Sequence, residues 1–455
     1  MDPVLFHSTN GRAPAVDLRE ALLTGQAPDR GLYLPEVFPR LSPDDFAAFA
    51  SHSYPRLAFE IMRHFTPGVI PDAALEAICH EAYDFPVPLE PVRGWDRVSV
   101  LRLDQGPTAS FKDFAARLMA RLIGRFLRES GRTLTILTAT SGDTGSAVAS
   151  AFHGVAGIRV IVLFPVGEVS ERQRRQMTTL RGNIRTIAID GKFDDCQALV
   201  KRAFADPALR HLPLSSANSI NIGRLLPQSV YYFHAAARSA RVGEPIVFVV
   251  PSGNFGDMMG AVIAGRMGLP IRRLVVPVNG NDEFPRFLAT GIYTRIEPSR
   301  ASLSNAMNVG HPSNLARLVA LYGGQMDEVG QLHREPDLAA LRRDLFSTSV
   351  SDAQTRDTIR EAWTDSGLLL EPHGAVGWRG FLDYVEVEPL AGAPAVVLET
   401  AHPAKFPEEI ERLLGFSPDV PPCLAALDGL AEEHDWMTVA YEDFREYLLD
   451  RAAGA

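Results

Sequence analysis

The spacing of apolar residues changes character near residue 95. Before it, apolar positions recur at helical intervals between proline-rich turns, which predicts helices over 16–23, 44–49 and 73–82. From about residue 98, short β-branched runs alternate with helix-length amphipathic segments. Alternation of this kind predicts an α/β fold with mainly parallel sheets.

The strand–helix units are too many for one small sheet, so two α/β lobes are expected behind a mostly helical N-terminal domain. The predicted strands are 98–103, 133–137, 159–163, 183–189, 245–250, 274–278 and 395–398, with helices over 111–127 and 144–151. We expect domains at 1–95, 96–240 and 241–455. Ligands of such folds bind at the carboxyl ends of strands, so the loops that follow strands are the places to look for chemistry.

Composition narrows the class of protein. The 455 residues are 46% hydrophobic and 22% charged, which argues against disorder, and the net charge of −10 leaves no broad basic footprint for nucleic acid. The three cysteines form no CxxC pair, and no HExxH pattern occurs, so no metal site is expected. With no signal-like N-terminus in Met1 to Ser8 and no membrane-length apolar run, we expect a soluble, cytoplasmic protein.

The first candidate loop is Gly106 to Asp113. Ser110 and Asp113 resemble an acidic capping box, so Lys112 is expected in the first turn of the following helix. A lysine there has a lowered pKa, because the helix dipole disfavours its charge, and a neutral amine can form an imine. Taken alone, the motif favours an ordinary exposed lysine, because surface lysines are common.

Three further loops suggest anion sites. Thr138 to Gly145 and Pro251 to Asp257 each join a strand to a helix through small residues and glycines, where backbone N–H groups can approach an anion. Neither loop fits GxGxxG or the Walker pattern, and each can also be a plain tight turn. Asn218 to Arg224 offers amide, hydroxyl and guanidinium groups to a phosphate, or else a helix cap followed by a solvated arginine.

Together, one activated lysine and three anion sites suit pyridoxal phosphate and an amino-acid substrate that carries a phosphate. At this point the chain resembles threonine synthase, a family of fold-type II pyridoxal-phosphate enzymes related in fold to tryptophan synthase β. The resemblance spans nearly the whole length and fits the longer microbial and fungal branch. Its motifs are Glu20 to Gly25, Gly31 to Pro35, Ser110 to Asp113, Ala139 to Gly145, Asn218 to Gln228, Gly253 to Asp257, Glu371 to Gly377 and Thr400 to Phe406.

The resemblance implies roles for individual residues. Lys112 matches the lysine that attaches the cofactor. The residues implied to bind pyridoxal 5'-phosphate besides Lys112 are Asp143 near the ring hydroxyl, Gly253, Asn254, Phe255 and Gly256 at its phosphate, and Thr400 at the ring nitrogen. Those implied to bind substrate are Ser141 and Thr144 at the carboxylate and Asn218, Ser219 and Arg224 at the phosphate.

The family's activity is the conversion of O-phospho-L-homoserine and water to L-threonine and phosphate. The same motifs would serve a phospholyase that releases 2-oxobutyrate, ammonia and phosphate, and only the product separates the two. The resemblance implies a small-molecule substrate, no nucleic-acid or membrane partner, and a monomer or homodimer. Two departures stand out. Asn10-Gly11-Arg12 replaces the usual Arg-Gly, and the segment Ser304 to Val309 has an amide where many relatives have an aspartate.

Overall fold

The computed structural model describes residues 3–452. Met1 and Asp2 of the N-terminal segment, and residues 453–455 of the predicted 241–455 lobe, lie outside this range. The strands are β1 (Phe6–Ser8), β2 (Tyr33–Pro35), β3 (Leu89–Pro91), β4 (Val98–Arg102), β5 (Leu134–Ala139), β6 (Ile158–Pro165), β7 (Ile184–Ile189), β8 (Leu214–Ser216), β9 (Ile246–Val249), β10 (Ile271–Val275), β11 (Gln325–Met326), β12 (Leu332–Arg334), β13 (Leu345–Phe346), β14 (Ala395–Glu399) and β15 (Asp435–Met437).

The helices fill the intervals between these strands. They are α1 (Leu18–Thr24), α2 (Pro43–Phe49), α3 (Tyr54–Met62), α4 (Asp72–Ala82), α5 (Lys112–Ser130), α6 (Asp143–Phe152), α7 (Glu171–Thr178), α8 (Phe193–Ala205), α9 (Ser229–Ser239), α10 (Gly256–Arg266), α11 (Glu283–Thr290), α12 (Leu315–Leu321), α13 (Leu338–Asp344), α14 (Asp352–Glu361), α15 (Pro372–Val387), α16 (Pro407–Leu414), α17 (Pro422–Ala425) and α18 (Tyr441–Ala452). Every helix and strand predicted from spacing is present, with shifts of a few residues at the ends.

Two sheets carry the fold. The six-stranded sheet has the order β13-β10-β9-β14-β4-β3 and is parallel except for the edge strand β3. The five-stranded sheet has the order β15-β7-β6-β5-β8 and is parallel throughout. Its strand β5 is buried along its whole length, as parallel strands covered by helices on both faces are. The predicted α/β class with mainly parallel sheets is confirmed.

The sheets do not follow the predicted lobes 96–240 and 241–455. Strand β4 lies in the six-stranded sheet between β14 and β3, although it falls inside the range 96–240. Strand β15 lies at the edge of the five-stranded sheet, although it falls inside 241–455. Each sheet therefore takes strands from both predicted ranges, because strand pairing follows sheet geometry and local spacing carries no information about which sheet a strand joins. Domain boundaries as such stay a prediction.

The N-terminal helices pack into the same hydrophobic core as the sheets. Leu57 and Phe65 are buried in one cluster with Phe114 of α5. Two hydrogen bonds fasten this region to the site-bearing segments: the Tyr83 hydroxyl donates to the Phe114 carbonyl over 2.9 Å, and Asn221 Nδ2 donates to the Leu22 carbonyl over 2.9 Å. The N-terminal region therefore supports the back of α5 and the loop after β8. None of the helices within residues 3–452 combines the length and the apolar character that crossing a bilayer requires.

Candidate active site

A cavity opens where the loops after β5, β8, β9 and β14 meet the start of α5, with about 870 Å³ of space when the part open to solvent is included. This is the position expected for small-molecule sites in α/β folds. All twelve residues that the sequence predicted for the site line this cavity: Lys112, Ser141, Asp143, Thr144, Asn218, Ser219, Arg224, Gly253, Asn254, Phe255, Gly256 and Thr400.

Lys112 is the first residue of α5, as predicted, but the predicted capping box is wrong. The N-cap is Phe111, and no side chain caps the helix. The Asp113 carboxylate turns back instead and accepts hydrogen bonds from the Thr108 backbone N–H over 2.8 Å and from the Thr108 hydroxyl over 2.6 Å. The buried Asp113 therefore fixes the loop before the lysine, and Lys112 projects into the cavity with its side chain 12% exposed.

One carboxylate faces two lysines. Lys112 Nζ lies 3.5 Å from Asp143 Oδ2, and Lys405 Nζ lies 2.6 Å from Asp143 Oδ1. Burial lowers the pKa of Lys112, and the charges of Lys405 and Arg224 lower it further against the opposing effect of Asp143. The lowered pKa of Lys112 was therefore predicted correctly in direction. Its main cause is burial, whereas the sequence analysis had named the helix dipole. Burial raises the pKa of Asp143, but Lys405 and Lys112 outweigh burial and bring it well below its usual range.

The loop after β5 closes around the Thr140 hydroxyl, which accepts the backbone N–H of Gly142 over 2.9 Å and of Gly145 over 2.8 Å. Gly142 has a φ of +132°, and a Cβ there would meet the side chain of Gln173, so glycine is required. Helix α6 starts at Asp143. The first N–H groups of a helix have no partner within it, so this loop offers donors beside Ser141 and Thr144.

The loop after β9 leads into α10 in the same way. Phe255 takes a left-handed φ of +61° and buries its ring against Phe284, with the ring centroids 4.7 Å apart. A Cβ on Gly253 would lie 2.7 Å from Cα of Met307, and one on Gly256 would lie 3.0 Å from Cβ of Ser219. The loop is thus a glycine-lined cradle at a helix N-terminus, an arrangement that favours an anionic group.

Asparagine and serine side chains hold that cradle in place. Asn254 Oδ1 accepts the backbone N–H of Ser313 over 2.6 Å, and Asn254 Nδ2 donates to the Ser219 hydroxyl over 2.7 Å. Asn314 Nδ2 also donates to Ser219, over 3.0 Å. Because the Ser219 oxygen accepts both bonds, its own proton is available to an acceptor in the cavity.

Two polar atoms at the segment after β8 are buried without a partner: Asn218 Oδ1 and Arg224 Nε. Arg224 donates from Nη1 to the Ala217 carbonyl over 2.6 Å, and no ion pair of the described residues involves it. Burial lowers the pKa of Arg224 to about 10, which leaves it a cation. A buried guanidinium of this kind calls for an anion, and phosphate suits its geometry.

Several residues at the cavity were missed by the sequence reasoning. His373 and Asp257 line it, and Gln173 and Lys405 stand behind Asp143. Three of these lay in motifs quoted for the resemblance: Asp257 in Gly253 to Asp257, His373 in Glu371 to Gly377, and Lys405 in Thr400 to Phe406. Spacing alone gave them no role, and Gln173 carries no sequence signal of its own.

Comparison with known proteins decides the family. Residues 5–83 match the N terminus of threonine synthase, residues 85–400 the pyridoxal-phosphate dependent enzymes and residues 374–447 the C-terminal part of threonine synthase. The threonine synthase of Pseudomonas aeruginosa is 41% identical over 93% of both chains, and that of Haemophilus influenzae is 41% identical over 95% of this chain and 97% of its own. The crystal structure of threonine synthase from Brucella melitensis with pyridoxal phosphate bound superimposes with a TM-score of 0.90 at 36% identity, covering 99% and 100% of the two chains.

This chain belongs to the threonine synthase family. It is a threonine synthase of fold type II, a lyase of amino-acid biosynthesis that depends on pyridoxal phosphate and acts on a small molecule. The resemblance drawn from the motifs is confirmed, and the phospholyase alternative is not favoured.

The cavity of this threonine synthase fits its cofactor. At one end of the cavity lies the glycine cradle, which a Cβ on Gly253 or Gly256 would fill. The amine of Lys112 lies in the cavity, and Thr400 forms part of its wall. The Thr400 carbonyl accepts the Phe111 N–H over 2.9 Å, which ties the Thr400 loop to the start of the lysine helix. The residues present therefore suit a phosphorylated aldehyde.

Proposed function

We propose that the threonine synthase reaction of this chain takes O-phospho-L-homoserine and water to L-threonine and phosphate, with Lys112 as its base. The observation that carries the proposal is one shared cavity in which a lysine, a glycine cradle at a helix N-terminus and a buried arginine without an ion-pair partner come together. Two separate anion sites suit a cofactor phosphate and a substrate phosphate.

In this proposal the cofactor phosphate rests on Gly253 to Gly256. The proton of the Ser219 hydroxyl is directed to this phosphate, and not to the substrate phosphate as the resemblance implied. The bonds that Ser219 accepts from Asn254 and Asn314 support this placement, because they tie Ser219 to the cradle. The substrate phosphate lies at Arg224. Asn218 Oδ1 is an acceptor and suits an N–H or O–H of the substrate better than a phosphate oxygen, while Asn218 Nδ2 already donates to the Ala139 carbonyl over 2.9 Å.

The substrate carboxylate lies at the loop of Ser141 and Thr144. The unpaired N–H groups at the start of α6 supply donors there, and the positive end of the helix favours a negative charge. Asp143 points the other way, towards the two lysines, so its charge does not compete with the carboxylate for these donors. Thr400, on the cavity wall, would offer a neutral hydroxyl to the ring nitrogen of the cofactor.

Pyridoxal phosphate, when bound, supplies an aldehyde carbon for amines and a ring that withdraws electrons from the substrate's Cα. Lys112 Nζ would attach the cofactor and, once the substrate amine has replaced it there, would accept the proton from Cα. A second proton leaves Cβ, the Cγ–O bond breaks with its electron pair going to phosphate, and Cγ takes up a proton. Water then adds its oxygen at Cβ and gives up a proton, and Lys112 returns a proton to Cα. Arg224 holds the departing phosphate beside Cβ, where the phosphate can accept the proton of the water.

The test is an analysis of products. The full chain with pyridoxal phosphate and O-phospho-L-homoserine is assayed for phosphate, threonine and 2-oxobutyrate together, with Lys112→Ala as the variant and the exposed Lys201→Ala as its matched control. Equal amounts of phosphate and threonine, lost in Lys112→Ala and kept in Lys201→Ala, are expected. Phosphate with 2-oxobutyrate would assign the phospholyase outcome, and the absence of phosphate release would overturn the substrate.

A further inference from the structure

The chain has four lysines, Lys112, Lys192, Lys201 and Lys405, among its 45 basic residues. Two of these four meet at the single carboxylate of Asp143. Lys112 has a role in the proposed reaction. Lys405 has none so far, yet its side chain is fully buried. A buried ammonium is costly, and a purely structural ion pair is weak grounds for keeping one.

The contacts of Lys405 fix it as the permanent partner of Asp143. Its Nζ donates to Asp143 Oδ1 over 2.6 Å and to the Thr108 carbonyl over 3.0 Å. Gln173 Nε2 donates to the same Asp143 oxygen over 2.9 Å. Oδ1 is thus saturated by two donors, and only Oδ2 faces Lys112, at a distance of 3.5 Å that is longer than a good charged hydrogen bond.

One carboxylate cannot neutralise two ammonium groups in a buried site. With Lys405 charged and paired at short range, a second charge on Lys112 would leave an uncompensated cation beside the buried Arg224. Lys112 is the group able to give up its proton, because it has the longer contact with Asp143 and lies on the cavity. We propose that Lys405 is a positioning residue that occupies Asp143 and so keeps the amine of Lys112 neutral for its part in the reaction.

The other charged groups around the two lysines are accounted for. Asp113 accepts both of its hydrogen bonds from Thr108, the residue whose carbonyl Lys405 also contacts. Asp257, on α10, accepts hydrogen bonds from the hydroxyls of two buried tyrosines, and His373, at the start of α15, is bonded to Glu371. Among the ion pairs within residues 3–452, Asp143 is the only acidic partner of either lysine. Lys405 is therefore the cation that satisfies Asp143.

The inference rests on the proposed role of Lys112, and its test follows the protonation of Lys112 directly. The full chain, freed of pyridoxal phosphate, is trace-labelled with acetic anhydride between about pH 6 and 11, and labelling of each lysine is read by peptide mass. The exposed Lys192 serves as the internal reference in the same sample.

In Lys405→Met, Asp143 is left to pair with Lys112, so the labelling midpoint of Lys112 is expected to rise by about one pH unit or more, a tenfold slower labelling at neutral pH. Lys405→Arg keeps the charge and is expected to stay near the parent. A structural role alone would lower the melting temperature of Lys405→Met and leave the midpoint unchanged, and that result would overturn the inference.

A second variant keeps the inference testable if Lys405→Met does not fold. Lys405→Gln keeps an N–H donor for Asp143 Oδ1 but removes the charge, so the midpoint of Lys112 is again expected to rise. An unchanged or lowered midpoint in this variant would contradict the inference. The rate at which pyridoxal phosphate attaches to the parent chain is a separate readout: if Lys112 does not attach it, the proposed function fails while the labelling midpoints still decide this question.

Discussion

The backbone N–H of Ala306 donates a hydrogen bond of 3.0 Å to Nε2 of His373. The other ring nitrogen, Nδ1, is bonded to the Glu371 carboxylate over 2.5 Å. The imidazole is therefore held at both ends, and it links the start of α15 to the short helical turn Asn305–Met307 that forms part of the cavity wall. Because that turn lies against Gly253, His373 acts on the cofactor cradle through the turn.

Replacing His373 by phenylalanine tests this link. His373→Phe leaves the Ala306 N–H without its acceptor, whereas the Glu371 carboxylate keeps the backbone N–H groups of His373 and Gly374. A buried polar group without a partner costs about 1–3 kcal/mol. We expect weaker binding of pyridoxal phosphate by about tenfold and a lower free energy of unfolding. Fluorescence titration of the cofactor and urea unfolding measure the two, with His80→Phe on the exposed face of α4 as control. Unchanged cofactor affinity would show that the turn holds its place without the imidazole.

Gly253 is predicted to tolerate no side chain. In Gly253→Ala the new Cβ would lie 2.7 Å from Cα of Met307, where backbone and not a flexible side chain must give way. We expect the cradle to shift and the affinity for pyridoxal phosphate to fall at least tenfold, a cost of about 1.4 kcal/mol. Gly280→Ala is the matched control, since a Cβ there meets nothing within 4 Å. Equal cofactor affinity in the two variants would contradict the prediction.

Two buried arginines, Arg224 and Arg317, are expected to respond in opposite ways to replacement by methionine. Burial lowers the pKa of both, to about 10 and about 9. Arg317 donates to the carbonyls of three residues and to Asn314 Oδ1, whereas Arg224 donates to a single carbonyl and leaves Nε unpartnered. Arg317→Met is expected to lower the free energy of unfolding by about 3 kcal/mol, because several acceptors lose their donor.

Arg224→Met, by contrast, removes a buried charge that has no carboxylate partner, so the free energy of unfolding without substrate is expected to stay equal or rise. Its KM for O-phospho-L-homoserine is expected to increase by about 10- to 100-fold, the value of a lost hydrogen bond to a charged group. Thermal unfolding and steady-state kinetics of the Arg224→Met and Arg317→Met variants test both expectations. A destabilised Arg224→Met with an unchanged KM would assign this arginine to the fold and not to the substrate.

Asp257 is expected to give the stability of the protein a pH dependence of unusual sign for a carboxylate. Burial raises its pKa to about 6, against the hydrogen bonds from the hydroxyls of Tyr231 and Tyr232 and the charge of Lys112. Between about pH 4 and 6 the folded state then holds a proton that the unfolded state has released, so this group makes the free energy of unfolding fall as pH rises, by up to about 1.4 kcal/mol per unit.

The variant Asp257→Asn removes that contribution. Urea unfolding at several pH values is expected to show the parent losing stability relative to Asp257→Asn between about pH 4 and 6 and holding a constant difference well above that range. Asp419→Asn, at an exposed carboxylate, is the control and is expected to show no such slope. A parent that gains stability relative to Asp257→Asn over this interval would mean that Asp257 is ionised at low pH.

The parts of the site that were predicted from the sequence are those fixed by short-range rules. Lys112 stands at a helix start and the loops of Ser141 and Gly253 stand between a strand and a helix, and parallel strands bring such loops to one edge of a sheet. Local patterning was also enough for the seven strands and five helices that were predicted, because each has its own apolar period.

The parts that were missed depend on contacts between residues far apart in sequence. Lys405 meets Asp143 only because the loop after β14 returns beside the start of α6, and β15 joins β7 across the length of the chain. The prediction of a capping box failed for a related reason. The Asp113 carboxylate accepts hydrogen bonds from both the hydroxyl and the backbone N–H of Thr108, and so it does not cap its own helix. No local pattern distinguishes these outcomes.

The pairing of β15 with β7 has a consequence for how the chain folds as it is made. Strand β7 stays an open edge, with a row of unpaired N–H and C=O groups, until residues 435–437 have left the ribosome. Strand β4 likewise waits for β14 to fill the gap between it and β9. The nascent chain therefore carries both sheets incomplete through nearly all of its synthesis, exposed to pairing with other chains. The wall of the cavity is complete only after Thr400, which follows β14, has been made.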